Sequence, residues 1–179
     1  MNKIFNYTGL LILLTLACQN SYAFDLNKSI NNHQQQFEKV ALQIWDLAEV
    51  GYQEYKSSNL LRETLSNEGF RIQDNVANIP TAFIAEYGKG FPVIGILGEF
   101  DALPGLAQSS SPYKEKYKNN KAGHACGHHL FGAGSAWASV VIKEWLFNNK
   151  KNGTIRFYGT PAEEGGTGKI GSASSGERV

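Results

Sequence analysis

The spacing of apolar and polar positions predicts two helices in the first third of the chain. Between 34 and 50, apolar side chains recur every three or four residues, which is typical of one helix face: Phe37, Val40, Ala41, Ile44, Leu47 and Ala48. Gly51 is the predicted end of this helix. A second helix follows, for which Ser57 or Ser58 can serve as the N-cap and Gly69 as the end. Its apolar residues are Leu60, Leu61 and Leu65.

Shorter apolar segments predict strands in the middle of the chain. Residues 70–76 and 81–87 have the composition of short strands, and the second alternates in character. The run from Pro92 to Gly98 is almost continuously apolar, which predicts a central strand covered on both faces.

A long helix and one more strand are predicted towards the end of the chain. The helix covers 130–148, and its first turns are rich in small residues that allow close packing on a sheet: Gly132, Ala133, Gly134 and Ser135. The strand covers 154–158. A strand–helix–strand order favours parallel pairing, so the predicted fold class is α/β, with a partly parallel sheet flanked by helices.

Carboxylates follow two of these predicted strands directly. Glu99 and Asp101 come after the apolar run, and Glu163 and Glu164 come after the last strand. Ligands of such sheets lie beyond the carboxyl ends of the strands, so Asp101, Glu163 and Glu164 are expected to share one site. Glu99 is interpreted as a structural residue.

The segment 123–129 contains most of the remaining candidate metal ligands. It contains three of the four histidines and one of the two cysteines, and thiolate and imidazole are good ligands for zinc and similar metals. Cys126 and His128 can reach one ion if the backbone is extended or turning. Two alternatives stay open at this point: Cys126 as a buried small hydrophobe, or as a nucleophile activated by His128. A metal-hydrolase site also needs one carboxylate ligand and one proton carrier, and the paired glutamates can fill both roles.

The net charge and the N-terminal segment indicate which partners and which cellular location to expect. The net charge is +1 without a basic run, so nucleic acid is not an expected partner. Lys3, the apolar run 10–17 and the small residues at 21 and 23 predict a signal peptide over 1–23, cleaved after Ala23, and therefore export to the periplasm or medium. A lipid anchor on Cys18 is the alternative, but the preceding leucine lies one place too early for that motif. After cleavage, Cys126 is the one remaining cysteine, which favours a free thiol or a metal ligand.

Three motifs in order resemble a known family. They are Gly98–Leu106, His124–His128 and Pro161–Gly166. The chain resembles the metal-dependent amidohydrolases and metallopeptidases that include aminoacylases, hippurate hydrolases and, most similar, aminobenzoyl-glutamate hydrolases. The resemblance implies a zinc-peptidase-like catalytic domain and hydrolysis of amide bonds in N-acyl or aroyl amino acids or short peptides.

The resemblance also implies roles for five residues. Cys126, His128 and Glu164 match metal ligands, Glu163 matches the general base, and Asp101 matches the carboxylate that orients the metal-site histidine. The family usually binds two divalent ions, for which zinc and manganese are expected and cobalt and nickel stay open. The complete enzyme is expected to be a homo-oligomer.

Two features depart from the family. His129 stands where many relatives carry Asp or Asn. Family members are also considerably longer, and a further metal ligand, a distal histidine and a dimerisation domain follow in them. Residues 24–179 are therefore expected to form the N-terminal part of the catalytic domain, and the alternative is an inactive product or a metal-binding module without turnover.

Overall fold

A computed structural model describes residues 24–166 and residue 168. The helices of this part are α1 (Leu26–Leu47), α2 (Tyr55–Asn67) and α3 (His128–Asn148). The strands are β1 (Arg71–Asp74), β2 (Phe83–Lys89), β3 (Val93–Glu99), β4 (Leu103–Pro104), β5 (Ala122–Gly123) and β6 (Gly153–Thr160), with a 3-10 turn at Val76–Asn78. None of the three helices combines the length and the hydropathy that crossing a membrane requires. The predicted signal peptide, 1–23, lies outside the described residues.

The main sheet has the strand order β1-β2-β6-β3, and β4 and β5 form a separate two-stranded pair. β3 and β6 are parallel, with Val93 opposite Thr154 and Glu99 opposite Thr160, whereas the other neighbours in the sheet are antiparallel. The connection between the parallel strands passes through α3, as a parallel pair requires. The predicted fold class, α/β with a partly parallel sheet and flanking helices, is confirmed.

The helix starts differ from the predicted ones for identifiable reasons. Helix α1 begins eight residues before position 34 because Asp25, whose carboxylate accepts a hydrogen bond from the Lys28 amide, caps a polar first segment that carries no apolar spacing. Ser57 and Ser58 lie inside α2 and do not cap it, so that prediction was wrong. Glu49, upstream of the helix, accepts hydrogen bonds from the Lys56 and Ser57 amides instead.

The main core lies between the three helices and one face of the sheet. Its largest fully buried side chains include Phe37, Ile44, Leu61, Phe83, Phe100, Val140 and Phe157. Helix α3 approaches β3 closely, since a side chain at Gly132 would meet the Glu99 carbonyl oxygen at 2.5 Å. The small residues at the start of α3 therefore permit close packing, as predicted for Gly132.

Strand β3 is the terminal strand of the described sheet. Val93, Ile94 and Leu97 are 39%, 47% and 46% exposed. The prediction that this apolar run is covered on both faces was wrong for the described part of the chain. The continuous apolar run correctly predicted a strand, but an apolar sequence does not show which neighbouring elements cover that strand.

Candidate metal centre

The parallel pairing of β3 and β6 brings the C-terminal ends of these two strands to one edge of the sheet. The segment after β3 carries Asp101, and the segment after β6 carries Glu163 and Glu164. The first residue of α3 is His128, and Cys126 precedes it in the entering loop. One ligand atom from each of Cys126, His128 and Glu164 falls within 4.8 Å of the others. The expected meeting of these residues is therefore what the structure shows, although their roles as ligands stay a proposal.

His128 is buried and held from both sides of its ring. Its Nδ1 donates to Asp101, at 2.9 Å from Oδ1 and 3.2 Å from the backbone oxygen. Its Nε2 lies 2.9 Å from Glu99 Oε2 and 3.8 Å from Glu163 Oε2. Because Nδ1 is used by Asp101, Nε2 is the nitrogen that can bind a cation.

Asp101 joins the two halves of the centre. Its side chain is buried, and while Oδ1 faces His128, Oδ2 accepts a hydrogen bond of 2.9 Å from the Glu164 amide. A single carboxylate thus fixes both the imidazole ring and the backbone that carries Glu164. This contact agrees with the orienting role that the resemblance implies for Asp101.

The exposed thiol of Cys126 lies beside the Glu164 carboxylate. Hydrogen bonding to Glu164 and the charges of Glu164, Glu163 and Glu99 raise the pKa of the Cys126 thiol. Glu164 Oε1 is buried and has no hydrogen-bond partner. Exposure rules out Cys126 as a buried small hydrophobe. A buried oxygen without a partner, next to a thiol and an imidazole, fits a divalent cation held by sulfur, nitrogen and oxygen donors.

A second donor set lies on the Nε2 side of the same histidine. Ligand atoms of Glu99, His128 and Glu163 also fall within 4.8 Å of one another. Glu99 is buried, and its carboxylate points at the imidazole. The interpretation of Glu99 as a purely structural residue did not anticipate this contact, since nothing in the sequence shows which face of β3 its last side chain occupies.

Glu54 supports the glutamate loop and was missed by the sequence reasoning. It is fully buried, and its two oxygens accept hydrogen bonds from the Ala162 amide at 2.8 Å and from the Thr81 hydroxyl at 3.1 Å. Ala162 has a left-handed backbone, with φ of 55°, and directly precedes Glu163. Glu54 therefore stabilises the turn that presents the paired glutamates. A lone glutamate between two helices gives no sequence signal for such a contact.

Glu54 also makes the stability of the chain depend on pH. Burial raises its pKa above the ordinary 4.5, although the hydrogen bonds that it accepts oppose the shift. The folded chain then keeps a proton that the unfolded chain releases, so the contribution of Glu54 to the free energy of unfolding falls as pH rises above about 4.5. Glu54→Gln carries no charge and removes this dependence.

We therefore expect the stability of Glu54→Gln, relative to wild type, to increase with pH. Urea unfolding of both chains between about pH 4.5 and pH 8 measures the difference, and subtraction cancels the groups that the two chains share. A difference that does not change with pH would contradict a buried, shifted carboxyl at this position.

His124 and His129 support the loop that carries Cys126. His124 Nε2 donates to the Ile44 carbonyl at 3.0 Å and so fastens this loop to α1. The two rings lie 5.1 Å apart, and the Nδ1 atom of each is buried without a hydrogen-bond partner. Burial, together with the charge of His129, lowers the pKa of His124 to about 4. His124 is thus neutral at pH 7 and acts in the described residues as a loop support.

The chain is similar in sequence and fold to known proteins. The chain is 42% identical over 152 residues to one of the subunits of the Escherichia coli p-aminobenzoyl-glutamate hydrolase, a match that covers 84% of this chain and 31% of that protein. It is 30% identical over 132 residues to hippurate hydrolase of Campylobacter jejuni, covering 74% of this chain and 33% of that protein. The YXEP protein of Bacillus subtilis, a dinuclear metal binding peptidase, matches at 30% identity with a TM-score of 0.60, over 80% of this chain and 40% of that one.

The chain spans about a third of the length of the curated relatives that it matches. Residues 95–177 match the sequence profile of peptidase family M20/M25/M40. The matched range includes the segment after β3, the Cys126–His128 loop and the paired glutamates. The resemblance inferred from the three motifs is confirmed. With its motifs in order, its match over residues 95–177 and its fold shared with a solved member, this chain is similar to peptidase family M20/M25/M40.

Proposed function

We propose that the protein is a metal-dependent hydrolase that cleaves amide bonds in N-acyl or aroyl amino acids or short peptides. The observation that carries this proposal is the meeting of Cys126, His128 and Glu164, whose ligand atoms lie within 4.8 Å of one another beside a second carboxylate, Glu163. The names of the matched relatives, a p-aminobenzoyl-glutamate hydrolase and a hippurate hydrolase, support the same substrate class.

The paired glutamates divide the work in this proposal. A divalent cation in the site supplies the positive charge that lowers the pKa of water and polarises the scissile carbonyl. Glu163 is the more exposed of the pair, at 35% against 17% for the Glu164 side chain. Glu163 Oε2 therefore takes the proton of the attacking water and returns it to the leaving amine. Glu164, fixed through its amide by Asp101, stays with the ligands.

The geometry disfavours the thiol-nucleophile alternative. A catalytic cysteine needs a lowered pKa and a histidine free to take its proton. Here the carboxylates raise the pKa of the Cys126 thiol, and both ring nitrogens of His128 face carboxylate oxygens. Cys126 is therefore proposed as a ligand.

We propose zinc or manganese as the cation, and two ions in the complete site. The mixed donor set of sulfur, nitrogen and oxygen is compatible with zinc, manganese, cobalt and nickel. The description of the Bacillus subtilis protein as a dinuclear metal binding peptidase supports the number two. We also propose a homo-oligomeric complete enzyme, on the family resemblance alone.

Metal binding and turnover together test the proposed function. The full chain, treated with a chelator and dialysed against zinc or manganese, is expected to bind metal, and Cys126→Ser is expected to lose most of it because a hydroxyl is a much poorer ligand than a thiolate. Bound metal should also protect Cys126 from iodoacetamide. Glu163→Gln should keep the metal and, in a completed enzyme, lose chelator-sensitive turnover of benzoyl-glycine or aminobenzoyl-glutamate.

The other outcomes separate the alternatives. Turnover that survives the chelator but not iodoacetamide would support the thiol enzyme and contradict the metal mechanism. Metal binding without turnover in the wild-type chain would favour the non-catalytic metal-binding module. If Glu163→Gln lost the metal and Glu164→Gln kept it, the two roles would be reversed.

We propose that the protein is exported and that residues 1–23 are removed. The support is the sequence of that segment, a basic residue, an apolar run and small residues before the predicted cleavage point. N-terminal sequencing of the chain recovered from the periplasm or medium should return Phe24. A chain that begins at Met1, or one acylated at Cys18, would contradict this proposal.

A further inference from the structure

We propose that a lysine-lined cavity beside the candidate metal centre binds carboxylate groups of the substrate. This lysine cavity has a volume of about 660 Å³, within the range of about 300–1,000 Å³ that is usual for small-molecule sites. Its lining includes the polar residues Lys114, Lys116, Lys121 and Asn120 and the apolar residues Leu106 and Ala125. The inference rests on the proposed function, because it names the part of the hydrolysed substrate that the cavity binds.

The first argument is the position of the cavity. The segment that forms it, 105–125, begins shortly after Asp101 and ends at the residue before Cys126. Asp101 contacts His128, and ligand atoms of Cys126 and His128 lie within 4.8 Å of each other, so both ends of the segment are fixed at the centre. Consecutive Cα atoms are about 3.8 Å apart, so the wall at Ala125 directly adjoins a proposed ligand. A substrate whose scissile amide lies at the centre can therefore extend into the lysine cavity.

The second argument is charge. The three lysines of the cavity are exposed, no carboxylate lines it, and none of their ammonium groups has an acidic partner in the part of the chain that the structure describes. The segment contains one carboxylate, Glu115, which lies outside the lining and accepts a hydrogen bond from the Ser109 hydroxyl. Lys118, in the same segment, pairs with Asp46 outside the cavity. The lining therefore carries positive charge that an anionic group can neutralise.

The third argument is that the walls of the cavity are held in place. Strands β4 and β5, which flank it, pair with each other, and the Gly105 amide donates to the Lys121 carbonyl at 2.6 Å. Further along the segment, the Tyr117 ring lies 4.3 Å from the Trp45 ring, and the Tyr117 hydroxyl donates to Asp46 at 2.7 Å. The segment is thus attached both to the centre and to α1. A cavity with such walls binds a ligand with little ordering cost.

The nature of the anion follows from the proposed reaction. An N-acyl amino acid carries a carboxylate close to its scissile amide, and an acidic amino acid carries two. Lysine ammonium groups pair with carboxylates as point charges, and the amide group of Asn120 can donate a further hydrogen bond. Substrates with two carboxylates are therefore expected to gain most from the lysine cavity.

The test is an NMR titration of the full chain without metal, so that no carboxylate can bind through an ion. The probes are N-benzoyl-glutamate, N-benzoyl-glycine and N-benzoyl-glycinamide, which carry two, one and no carboxylates. The cavity variant combines Lys114→Gln, Lys116→Gln and Lys121→Gln. The control combines Lys28→Gln, Lys150→Gln and Lys151→Gln, which change the net charge equally. Lys150 and Lys151 follow the C-terminal end of α3, far from the centre, and Lys28 is an exposed residue at the start of α1.

The cavity variant should bind N-benzoyl-glutamate about 5–20-fold more weakly than wild type at low salt, because an exposed ion pair changes an equilibrium by up to about fivefold. N-benzoyl-glycine should lose less, and N-benzoyl-glycinamide nothing. The carboxylates of the centre weaken the binding of every anionic probe in all three chains alike, so the comparison between chains decides. The control should match wild type, and added salt should reduce the difference between the chains.

Three outcomes would overturn the inference. They are unchanged N-benzoyl-glutamate binding in the cavity variant, equal weakening by the control variant, and tighter binding of inorganic phosphate than of N-benzoyl-glutamate in wild type. Failure of the proposed function shows elsewhere, in the metal-binding and turnover measurements, because the titrations contain no metal. If the titrations succeed and the chain binds no metal, the cavity is an anion site and its role in substrate binding is wrong.

Discussion

Replacing Asp101 by asparagine is expected to remove tight metal binding while the fold persists. Asp101 accepts two hydrogen bonds at once, from His128 Nδ1 and from the Glu164 amide. Asparagine offers one carbonyl oxygen and one NH2 group, so it can accept only one of them. At the other contact, the asparagine NH2 group then lies opposite a second hydrogen-bond donor. Either arrangement of the amide damages a proposed ligand.

The two arrangements fail in different ways. If the asparagine oxygen keeps the Glu164 amide, its NH2 group faces Nδ1, and only the longer contact of 3.2 Å with the backbone oxygen of residue 101 still holds the histidine ring. If the oxygen keeps His128, the NH2 group faces the Glu164 amide and loosens the glutamate loop. The mismatched buried pair also costs about 1–3 kcal/mol of unfolding free energy. Affinity should fall by at least about 10–100-fold, the loss typical of an orienting partner.

Equilibrium dialysis against zinc and manganese, with urea unfolding of the metal-free chain, measures both effects. Asp74→Asn is the matched control, because Asp74 pairs with Arg62 at the surface of the sheet, away from the centre. We expect Asp74→Asn to bind metal like wild type. Wild-type affinity in Asp101→Asn would show that Asp101 orients neither ligand, and the proposed geometry of the centre would be wrong.

The fold was predictable where the local sequence and the packing favour the same structure. The apolar spacing in α1 and α2 and the strand–helix–strand order around α3 predicted the helices and the parallel pair of β3 and β6. That pairing in turn explains why Asp101 and the paired glutamates were expected to meet. The expectation that these carboxylates meet depended mainly on the rule that ligands lie beyond the carboxyl ends of parallel strands.

Contacts between distant segments were not predictable. Glu54 and Ala162 are separated by 108 positions, and Glu99 meets the His128 ring only because α3 packs against the end of β3. Side chains of this kind have no periodicity and no distinctive neighbours in sequence. The exposure of β3 was missed for a related reason, since apolar sequence does not report which elements cover a strand.

The close approach of α3 to β3 can be tested by two alanine substitutions of opposite effect. A Cβ at Gly132 would lie 2.5 Å from the Glu99 carbonyl oxygen, a backbone atom that cannot rotate away, so the helix has to move. Such overpacking costs about 1–3 kcal/mol. At Gly134, one half-turn further, a Cβ would have no neighbour within 4 Å. Alanine at either position gains up to about 1 kcal/mol from its higher helix propensity.

Gly132→Ala is therefore expected to lower the free energy of unfolding, and Gly134→Ala to raise it by up to about 1 kcal/mol. Because both changes add one methyl group to the same helix, their difference isolates the contact between α3 and β3. Moving α3 also moves His128 relative to Glu99, so Gly132→Ala should bind metal more weakly, whereas Gly134→Ala should match wild type. Urea unfolding and metal dialysis of the two variants measure both quantities. Equal stabilisation by the two substitutions would mean that α3 does not rest on the end of β3.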